Sequence, residues 1–136
     1  LNYLGVAFLA AGDLKAARKA LVEAIQRAWQ HGYLFNLMNG FYYVAELLVQ
    51  ESQALDQLAA LEHQALAIAA LCCVRTQAAT WHFFKDKAAQ LQAKIEAALP
   101  ADLRATAIAR GQNSTVEEMV NVLLAEANNP TRRNAL

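Results

Sequence analysis

Two segments of the chain, starting at positions 1 and 41, carry the same order of large, large, small and large apolar residues. Spacings of three and four residues place all four positions on one face of a helix. A helix with one apolar face must pack on a neighbour, and repeated helical pairs bury such faces by stacking. The pattern therefore predicts a stack of helical hairpins. The residues that carry it are Leu1, Leu4, Gly5, Phe8, Phe41, Val44, Ala45 and Leu48.

The segment that follows the first pattern completes a recognisable unit. After a Gly12-Asp13 turn, apolar residues stand at positions 17, 21 and 24, so the run reads L-x2-L-G-x2-F, turn, A-x3-L-x2-A. This unit resembles the tetratricopeptide repeat, a helical hairpin. Gly5 and Ala17 are then expected where the two helices cross closely, since a larger side chain would separate them. The expected repeat-packing residues are Leu4, Gly5, Phe8, Ala17, Leu21, Ala24, Phe41, Val44, Ala45 and Leu48.

The later units follow the repeat pattern less closely. The step from position 1 to position 41 is longer than the usual thirty-four residues. Two registers remain open for the second helix of the second unit, with Gln57, Leu61 and Gln64 or with Leu58, Glu62 and Ala65 as its key positions. A third unit would begin at Trp81 and Phe84, with Lys85 in the small position.

The fold class predicted from these patterns is all-α: a short right-handed superhelix of antiparallel, tetratricopeptide-like helix hairpins with a C-terminal capping helix pair. Apolar residues recur every three or four positions almost throughout the chain. We expect one domain over 1–127 and a disordered tail over 128–136. Within the domain, the hairpins cover about 1–30 and 33–74, followed by a helix at about 76–98 and a cap at 101–127. The expected helices are about 1–11, 14–30, 33–50, 54–74, 76–98, 101–110 and 115–127.

Several residues predict where these helices begin and end. Gly12 and Gly32 suit the left-handed position that ends many helices. Pro100 must stop the fifth helix, because proline lacks an amide hydrogen and clashes with the preceding turn. Gly111 is expected to end the sixth helix. The segment Ser114-Thr115-Val116-Glu117 fits a capping box at the start of the seventh.

The C-terminal third carries a second resemblance. Residues 98–112 read ALPADLRATAIARGQ, and residues 114–120 read STVEEMV. This order is similar to the end of the tetratricopeptide region in large bacterial transcriptional regulators and signal-transduction ATPases. The resemblance implies a C-terminal sensor arm whose partner is the ATPase module upstream in the same protein. A bacterial, cytoplasmic protein with a role in transcription regulation and signal transduction is the corresponding expectation.

Composition and spacing exclude several classes of function. Twelve basic and twelve acidic residues cancel, and no basic stripe is present, which argues against direct nucleic-acid binding. The chain has no glycine-rich phosphate loop and no arrangement of nucleophile, base and orienting group. We therefore expect no enzyme activity, no catalytic residues and no cofactor. The acidic residues Glu46, Glu51, Asp56 and Glu62 are expected at solvated positions.

Histidines and cysteines do not predict a metal site. His31, His63 and His82 cannot be combined with Cys72 and Cys73 at the short paired spacing that zinc sites use. The two cysteines are adjacent, so their side chains diverge and a disulfide between them would be strained. Two reduced thiols in or beside the core are expected, as in a cytoplasmic protein.

The apolar run in the middle of the chain predicts a helix buried in the core and does not predict association with a membrane. The longest uninterrupted apolar run extends from Ala65 to Val74, which is too short for a membrane span. The first predicted helix is apolar on almost all sides. We expect some of its residues to pack on a preceding repeat in a longer protein, and the isolated chain to form a homodimer through its first hairpin.

The resemblance to tetratricopeptide repeats also implies a binding groove lined by the first helix of each hairpin. Asparagine pairs with peptide backbone, and tyrosine adds contact area at a low entropic cost. The predicted function is therefore non-catalytic interaction with a peptide or a neighbouring domain. The alternative is a small-ligand sensor with an effector pocket between helices. The predicted groove residues are Asn2, Val6, Leu9, Asn39, Tyr42, Glu46, Val49 and Gln50, with Ala10 beside them.

Overall fold

The computed structural model describes residues 2–127, and every regular element in that range is a helix. The all-α prediction is confirmed. The expected packing of Leu1 and the expected disordered tail at 128–136 lie outside the described residues. The seven helices are α1 (Asn2–Ala11), α2 (Leu14–Gln30), α3 (Leu34–Ser52), α4 (Gln57–Thr76), α5 (His82–Ala98), α6 (Ala101–Asn113) and α7 (Val116–Ala127).

Most helix ends follow the local signals in the sequence. Gly12 and Gly32 have φ angles of 78° and 70°, the left-handed conformation expected after α1 and α2. Asp13 caps α2, because its Oδ1 accepts a hydrogen bond from the amide of Ala16 at 3.1 Å. As expected, α5 ends at Ala98, before Pro100.

The predicted C-terminal end of α6, at residue 110, is three residues too early, and the predicted start of α7 differs by one residue. Gly111 lies inside α6, which continues to Asn113. The capping box at α7 is formed by Thr115 and Glu118, one residue later than expected. The Glu118 amide donates to Thr115 Oγ1 at 3.1 Å, and the Thr115 amide donates to the Glu118 carboxylate at 3.2 Å.

Gly111 has a different role, because it lets α6 approach α4 closely. A Cβ added at this position would lie 2.6 Å from Cys72 Cβ and 2.7 Å from the Ala69 carbonyl oxygen. Both are nearer than ordinary contacts allow. The glycine is therefore needed for the helix crossing and not for a helix end.

The helices α1, α3 and α5 pack side by side. α1 packs on α3, and α3 packs on α5. Phe35 meets Trp81 with ring centroids 4.5 Å apart, and further along both helices Tyr42 meets Phe84 at 5.7 Å. The contacts follow the same order on both helices, so α3 and α5 run in the same direction.

The even-numbered helices and α7 complete the fold. α2 packs between α1 and α3, and α4 packs on α3, α5 and α6. α6 follows α5 after two residues but packs mainly on α4. The last helix, α7, returns to pack on α2. The chain thus brings its first and last described hairpins together.

α4 is the central helix of the core. Its residues from Leu66 to Val74 are all buried, which confirms the prediction for this run. Among the described helices, α4 is the one that is long and apolar enough to cross a membrane, judged by length and composition alone. Cys72 and Cys73 are buried and form no disulfide. Burial raises the pKa of both thiols, that of Cys73 to about 11.

The expected close crossing of α1 and α2 is present. Gly5 is buried, Ala17 and Leu21 are completely covered, and a Cβ at Gly5 would lie 2.6 Å from Leu21 Cγ. Phe8 is partly buried against the core. Leu4 departs from the expected packing, because it lies away from the face that Gly5 presents to α2 and its side chain is half exposed. The other predicted packing residues are buried: Ala24, Phe41, Val44, Ala45 and Leu48.

Candidate protein-interaction surface

Six aromatic residues follow the junction between α3 and α5, and we call them the aromatic strip. They form two groups of contacting rings, with centroid distances from 4.5 to 6.0 Å: Phe35 with Trp81, and Tyr42, Tyr43, Phe83 and Phe84. Tilted and edge-to-face contacts of this kind are favourable for aromatic pairs. The strip consists of Phe35, Tyr42, Tyr43, Trp81, Phe83 and Phe84.

Some side chains of the aromatic strip are buried in the core and others are exposed at the surface. Tyr42 and Phe84 are buried, whereas Trp81 is 63% exposed and Phe83 is 61% exposed. The two exposed rings are held by partners beneath them: Trp81 by Phe35 and Phe83 by Phe84. Rigidly held, exposed aromatic rings are typical of surfaces that bind other proteins.

A charged and a polar interaction are formed at the edge of the aromatic strip. The ammonium group of Lys87 lies 5.0 Å from the Phe83 ring centroid and 5.4 Å from that of Tyr42, within the range of a cation–π interaction. The Tyr42 hydroxyl donates a hydrogen bond to the Glu46 carboxylate at 2.7 Å. Burial, together with this carboxylate, raises the pKa of Tyr42 far above its ordinary value, so the hydroxyl remains a donor.

The structure corrects the composition of the predicted groove. Leu9 and Tyr42 are buried and cannot contact a partner. Tyr42 is covered because α5 packs beside α3 and places Phe84 on it. Asn2 is partly buried, and its side-chain amide donates to the Asn36 carbonyl oxygen at 3.2 Å. The remaining predicted positions are partly buried: Val6, Asn39, Glu46, Val49 and Gln50.

The sequence patterns do not predict that the side chains of Trp81 and Phe83 lie at the surface. The repeat pattern places Trp81 at the start of a third unit. The turn between α4 and α5 extends to Trp81, which is the residue before α5 and therefore escapes the core. The adjacent aromatic pair at positions 83 and 84 is a usable signal, since side chains of neighbouring residues on a helix point in directions about 100° apart. On a helix that is buried on one side only, one of the two is therefore often exposed.

A second apolar surface lies on α1. Tyr3 is 90% exposed and Leu4 is 52% exposed, and the helix contains no charged residue. The sequence predicts such an apolar face on the first helix, which is not covered by the rest of the chain.

A cluster of charged groups is buried between α2, α3, α4 and α7. The Arg18 guanidinium donates two hydrogen bonds to the Glu51 carboxylate, at 2.7 Å from Nε and 2.6 Å from a terminal nitrogen. His63 Nε2 lies 3.4 Å from a Glu51 oxygen and 3.7 Å from a Glu126 oxygen. Arg18 also donates to the Glu126 carbonyl oxygen at 3.3 Å. We call Arg18, Glu51, His63 and Glu126 the charge cluster.

Glu51 corrects the expectation of a solvated position, because it is completely buried. Its place in the sequence contained a signal: Glu51 follows the buried residues Val44 and Leu48 at helical spacing. A carboxylate on that face must have a buried cation as its partner. Asp56 caps α4 through the Ala59 amide, and Glu62 is exposed.

The space beside the charge cluster is too small for an effector molecule. A cleft with a free volume of about 10 Å³ is lined by Arg18 and Glu126 of the cluster and by the apolar residues Val22, Val44, Leu47, Leu48 and Leu123. That volume holds about one water molecule, whereas ligand sites measure roughly 300–1,000 Å³. Within residues 2–127, no three His, Cys, Asp or Glu side chains are grouped so that they could hold a metal ion.

Comparison of the chain with protein-family models, with characterised proteins and with solved structures finds no match. The class of protein is therefore described from its own fold and surface: it is an all-helical protein with an exposed aromatic strip.

Proposed function

We propose that this chain is a non-catalytic protein-interaction domain that binds its partner through the aromatic strip. The proposal rests mainly on the exposure of Trp81 and Phe83, which contact the partly buried ring of Phe35 and the buried ring of Phe84. A large exposed aromatic group that is already held in place loses little entropy when a partner covers it.

The partner that suits this surface is a peptide segment or a neighbouring domain of the same protein. The strip offers flat apolar rings for side-chain contact, and Lys87 and Glu46 stand at its edge as polar groups. An apolar centre with polar groups at its rim is the ordinary composition of a protein interface. The resemblance of the C-terminal third to bacterial regulators supports a sensor arm that contacts an upstream ATPase module in the cytoplasm.

Peptide selection tests this proposal directly. The purified chain is used to select binders from a displayed random peptide library, and dissociation constants are measured by fluorescence anisotropy. We expect selected peptides to lose at least tenfold in affinity when Trp81 and Phe83 are both replaced by serine, because two interface anchors are removed.

Leu58→Ser is the matched control for this experiment. Leu58 is 70% exposed on the first turn of α4 and is not a member of the strip. Its replacement removes exposed apolar area of a similar kind and should leave peptide affinity unchanged. Selected peptides that bind the Trp81 and Phe83 variant as tightly as the wild type would contradict the proposal.

We further propose that the uncovered face of α1 associates with a second copy of the chain. Tyr3 and Leu4 form an exposed apolar surface with no charged neighbour on the same helix. Multi-angle light scattering across a concentration series should show a monomer converting to a dimer. The double variant Tyr3→Lys and Leu4→Glu should remain monomeric, because charged side chains resist burial in the interface.

Leu58→Lys serves as the control for the dimer, since it places a charge at an exposed apolar position on another helix. This variant should dimerise as the wild type does. A wild-type chain that remains monomeric at the highest concentration would show that the α1 face does not associate.

A further inference from the structure

Large apolar side chains that are exposed to solvent collect at one end of the domain. Among residues 2–127 there are eight of them, and seven lie near the starts of α1, α3 and α5 or on the last turn of α2. Tyr3 and Leu4 belong to α1, and Trp81 and Phe83 belong to the aromatic strip. We call these four, together with the other three, the apolar end. The other three are Trp29, Tyr33 and Leu34.

Two contacts near the start of α3 hold three helix starts together. The Phe35 ring meets the Trp81 ring at a centroid distance of 4.5 Å, so the starts of α3 and α5 are neighbours. The carbonyl oxygen of the next residue, Asn36, accepts a hydrogen bond from the Asn2 side chain at 3.2 Å, so α1 begins beside α3 as well. The starts of α1, α3 and α5 therefore lie on one side of the domain.

The residues at the margins of the apolar end are close to this side too. Three residues separate the end of α2 from the start of α3, so Trp29 on the last turn of α2 lies near Tyr33. Burial and the Glu46 carboxylate raise the pKa of Tyr43, and Tyr3 raises it further, which places the α1 tyrosine close to the aromatic strip. The apolar end thus extends from α1 to the strip.

The exposed apolar area at this end is close to what one side of a stable interface needs. The exposed fractions of the seven side chains run from 39% for Trp29 to 90% for Tyr3. With about 200 Å² of surface for an aromatic side chain, the seven expose roughly 700 Å². An interface of standard size buries about 800 Å² on each partner, whereas the largest apolar patch of a typical monomer is about 300–600 Å².

Few charged groups would lose their water if this end were covered. α1 contains no charged residue, and neither does the first turn of α3. The first turn of α5 contains Lys85. Arg27, on the last turn of α2, is already paired with Glu23 at 2.7 Å. A surface with so few charges can face a copy of itself without burying a row of like charges.

We propose that a second copy of this chain covers the whole apolar end, so that the dimer interface includes Trp81 and Phe83 as well as α1. In a twofold pair, both copies contribute the same surface. Because α3 lies between α1 and α5, a twofold axis near the start of α3 places α1 of one copy opposite α5 of the other. A single contact then covers every member of the apolar end.

Self-association through this surface hides the two rings with which the chain binds its partner. Dimer formation and partner binding then compete, and the apparent affinity for a partner falls as the concentration of the chain rises. This competition rests on the proposed function of the aromatic strip, whereas the extent of the dimer interface does not.

Tryptophan fluorescence measures the extent of the interface, because both tryptophans of the chain belong to the apolar end. Trp29→Phe leaves Trp81 on α5 as the single reporter. Across a concentration series, we expect Trp81 emission to shift to shorter wavelength and quenching by acrylamide to decrease, because the second copy excludes water from the ring. The midpoint of this change should agree with the dimer midpoint from light scattering.

Two variants in the Trp29→Phe background are matched controls. Tyr3→Lys with Leu4→Glu prevents the dimer, so Trp81 emission should not change with concentration. Leu58→Lys places a charge at an exposed apolar position outside the apolar end and should keep the change. A dimer whose Trp81 emission and quenching stay constant would confine the interface to α1 and overturn the inference. A chain that stays monomeric at the highest concentration would overturn it as well.

Sedimentation velocity of the same dimer provides a second test. Replacing Trp81 and Phe83 by serine should raise the dimer dissociation constant at least tenfold, because two anchors are lost from the interface. The matched control Leu58→Ser should leave the constant unchanged. An unchanged constant in the Trp81 and Phe83 variant would show that the second copy does not cover the strip.

A peptide selected for binding to the strip tests the competition. Excess peptide should convert the wild-type dimer to monomer. A peptide that binds the intact dimer without dissociating it would overturn the competition and leave the proposed function standing. A library that yields no peptide dependent on the strip would contradict the proposed function instead, and the Trp81 signal then decides the inference.

Discussion

Glu51→Ala is expected to destabilise the folded chain by about 3–5 kcal/mol, the usual effect of removing one partner from a buried ion pair. The side chain of Glu51 is completely buried and accepts two hydrogen bonds from Arg18. Its removal leaves the guanidinium without its main counter-charge in a site that water reaches poorly. Urea denaturation followed by circular dichroism at neutral pH gives the free energy of unfolding.

A double variant and a surface variant separate this explanation from simple loss of volume. Arg18→Met with Glu51→Leu removes both charges and should recover most of the lost stability, because no unpaired charge remains. Glu46→Ala removes a partly exposed carboxylate on the same helix and should have an effect of about 1 kcal/mol, the value of one hydrogen bond. Equal destabilisation by Glu51→Ala and by the double variant would show that charge pairing is not the cause.

Gly111→Ala is expected to be the most damaging single-methyl addition in the part of the chain described here, with a net loss of about 1–3 kcal/mol. The new Cβ would meet the Ala69 carbonyl oxygen at 2.7 Å and Cys72 Cβ at 2.6 Å. Backbone and Cβ atoms cannot rotate away, so α4 and α6 must separate. The ordinary gain of about 1 kcal/mol from replacing glycine inside a helix reduces the loss but does not remove it.

Gly5→Ala is the matched comparison, because Gly5 also lies inside a helix at a close crossing. The atoms that its Cβ would meet belong to the end of the Leu21 side chain, which can rotate to a new position. Its effect should therefore be smaller than that of Gly111→Ala. Thermal melts of the two variants measure the difference, and a larger loss for Gly5→Ala would mean that the crossing of α4 and α6 adapts more easily than the structure indicates.

The glycines show how much of the fold could be predicted from the sequence. Gly12, Gly32 and Gly5 were assigned correctly, because helix ends and the first hairpin have local signals on both sides. The sequence predicts a helix end at Gly111, whereas this glycine lies inside α6 where α6 crosses α4. Its role is set by Ala69 and Cys72, which are some forty positions earlier in the chain, and no local pattern contains that information.

The site was harder to predict than the fold for a similar reason. The sequence indicated that aromatic residues near position 42 are important, but the neighbour Phe84 decides that Tyr42 is buried. The burial of Glu51 depends on Arg18, which is 33 residues away, and on His63 in the next helix. The spacing of residues along one helix shows which side chains share a face. Which helix packs on that face depends on the whole fold.

The contact between Arg18 and Glu126 joins residues 108 positions apart and changes how the domain can behave as a stack of hairpins. In an open stack, each unit touches only its neighbours, so stability is nearly a sum of local terms and units can be lost from either end. In this structure α7, the last described helix, packs on α2, so the helices form a closed arrangement and not an open stack. Closing so long a loop is slow compared with forming the local hairpins, so α7 should be the last helix to dock during folding. A substitution in α2 that disturbs this contact should therefore also affect the packing of α7.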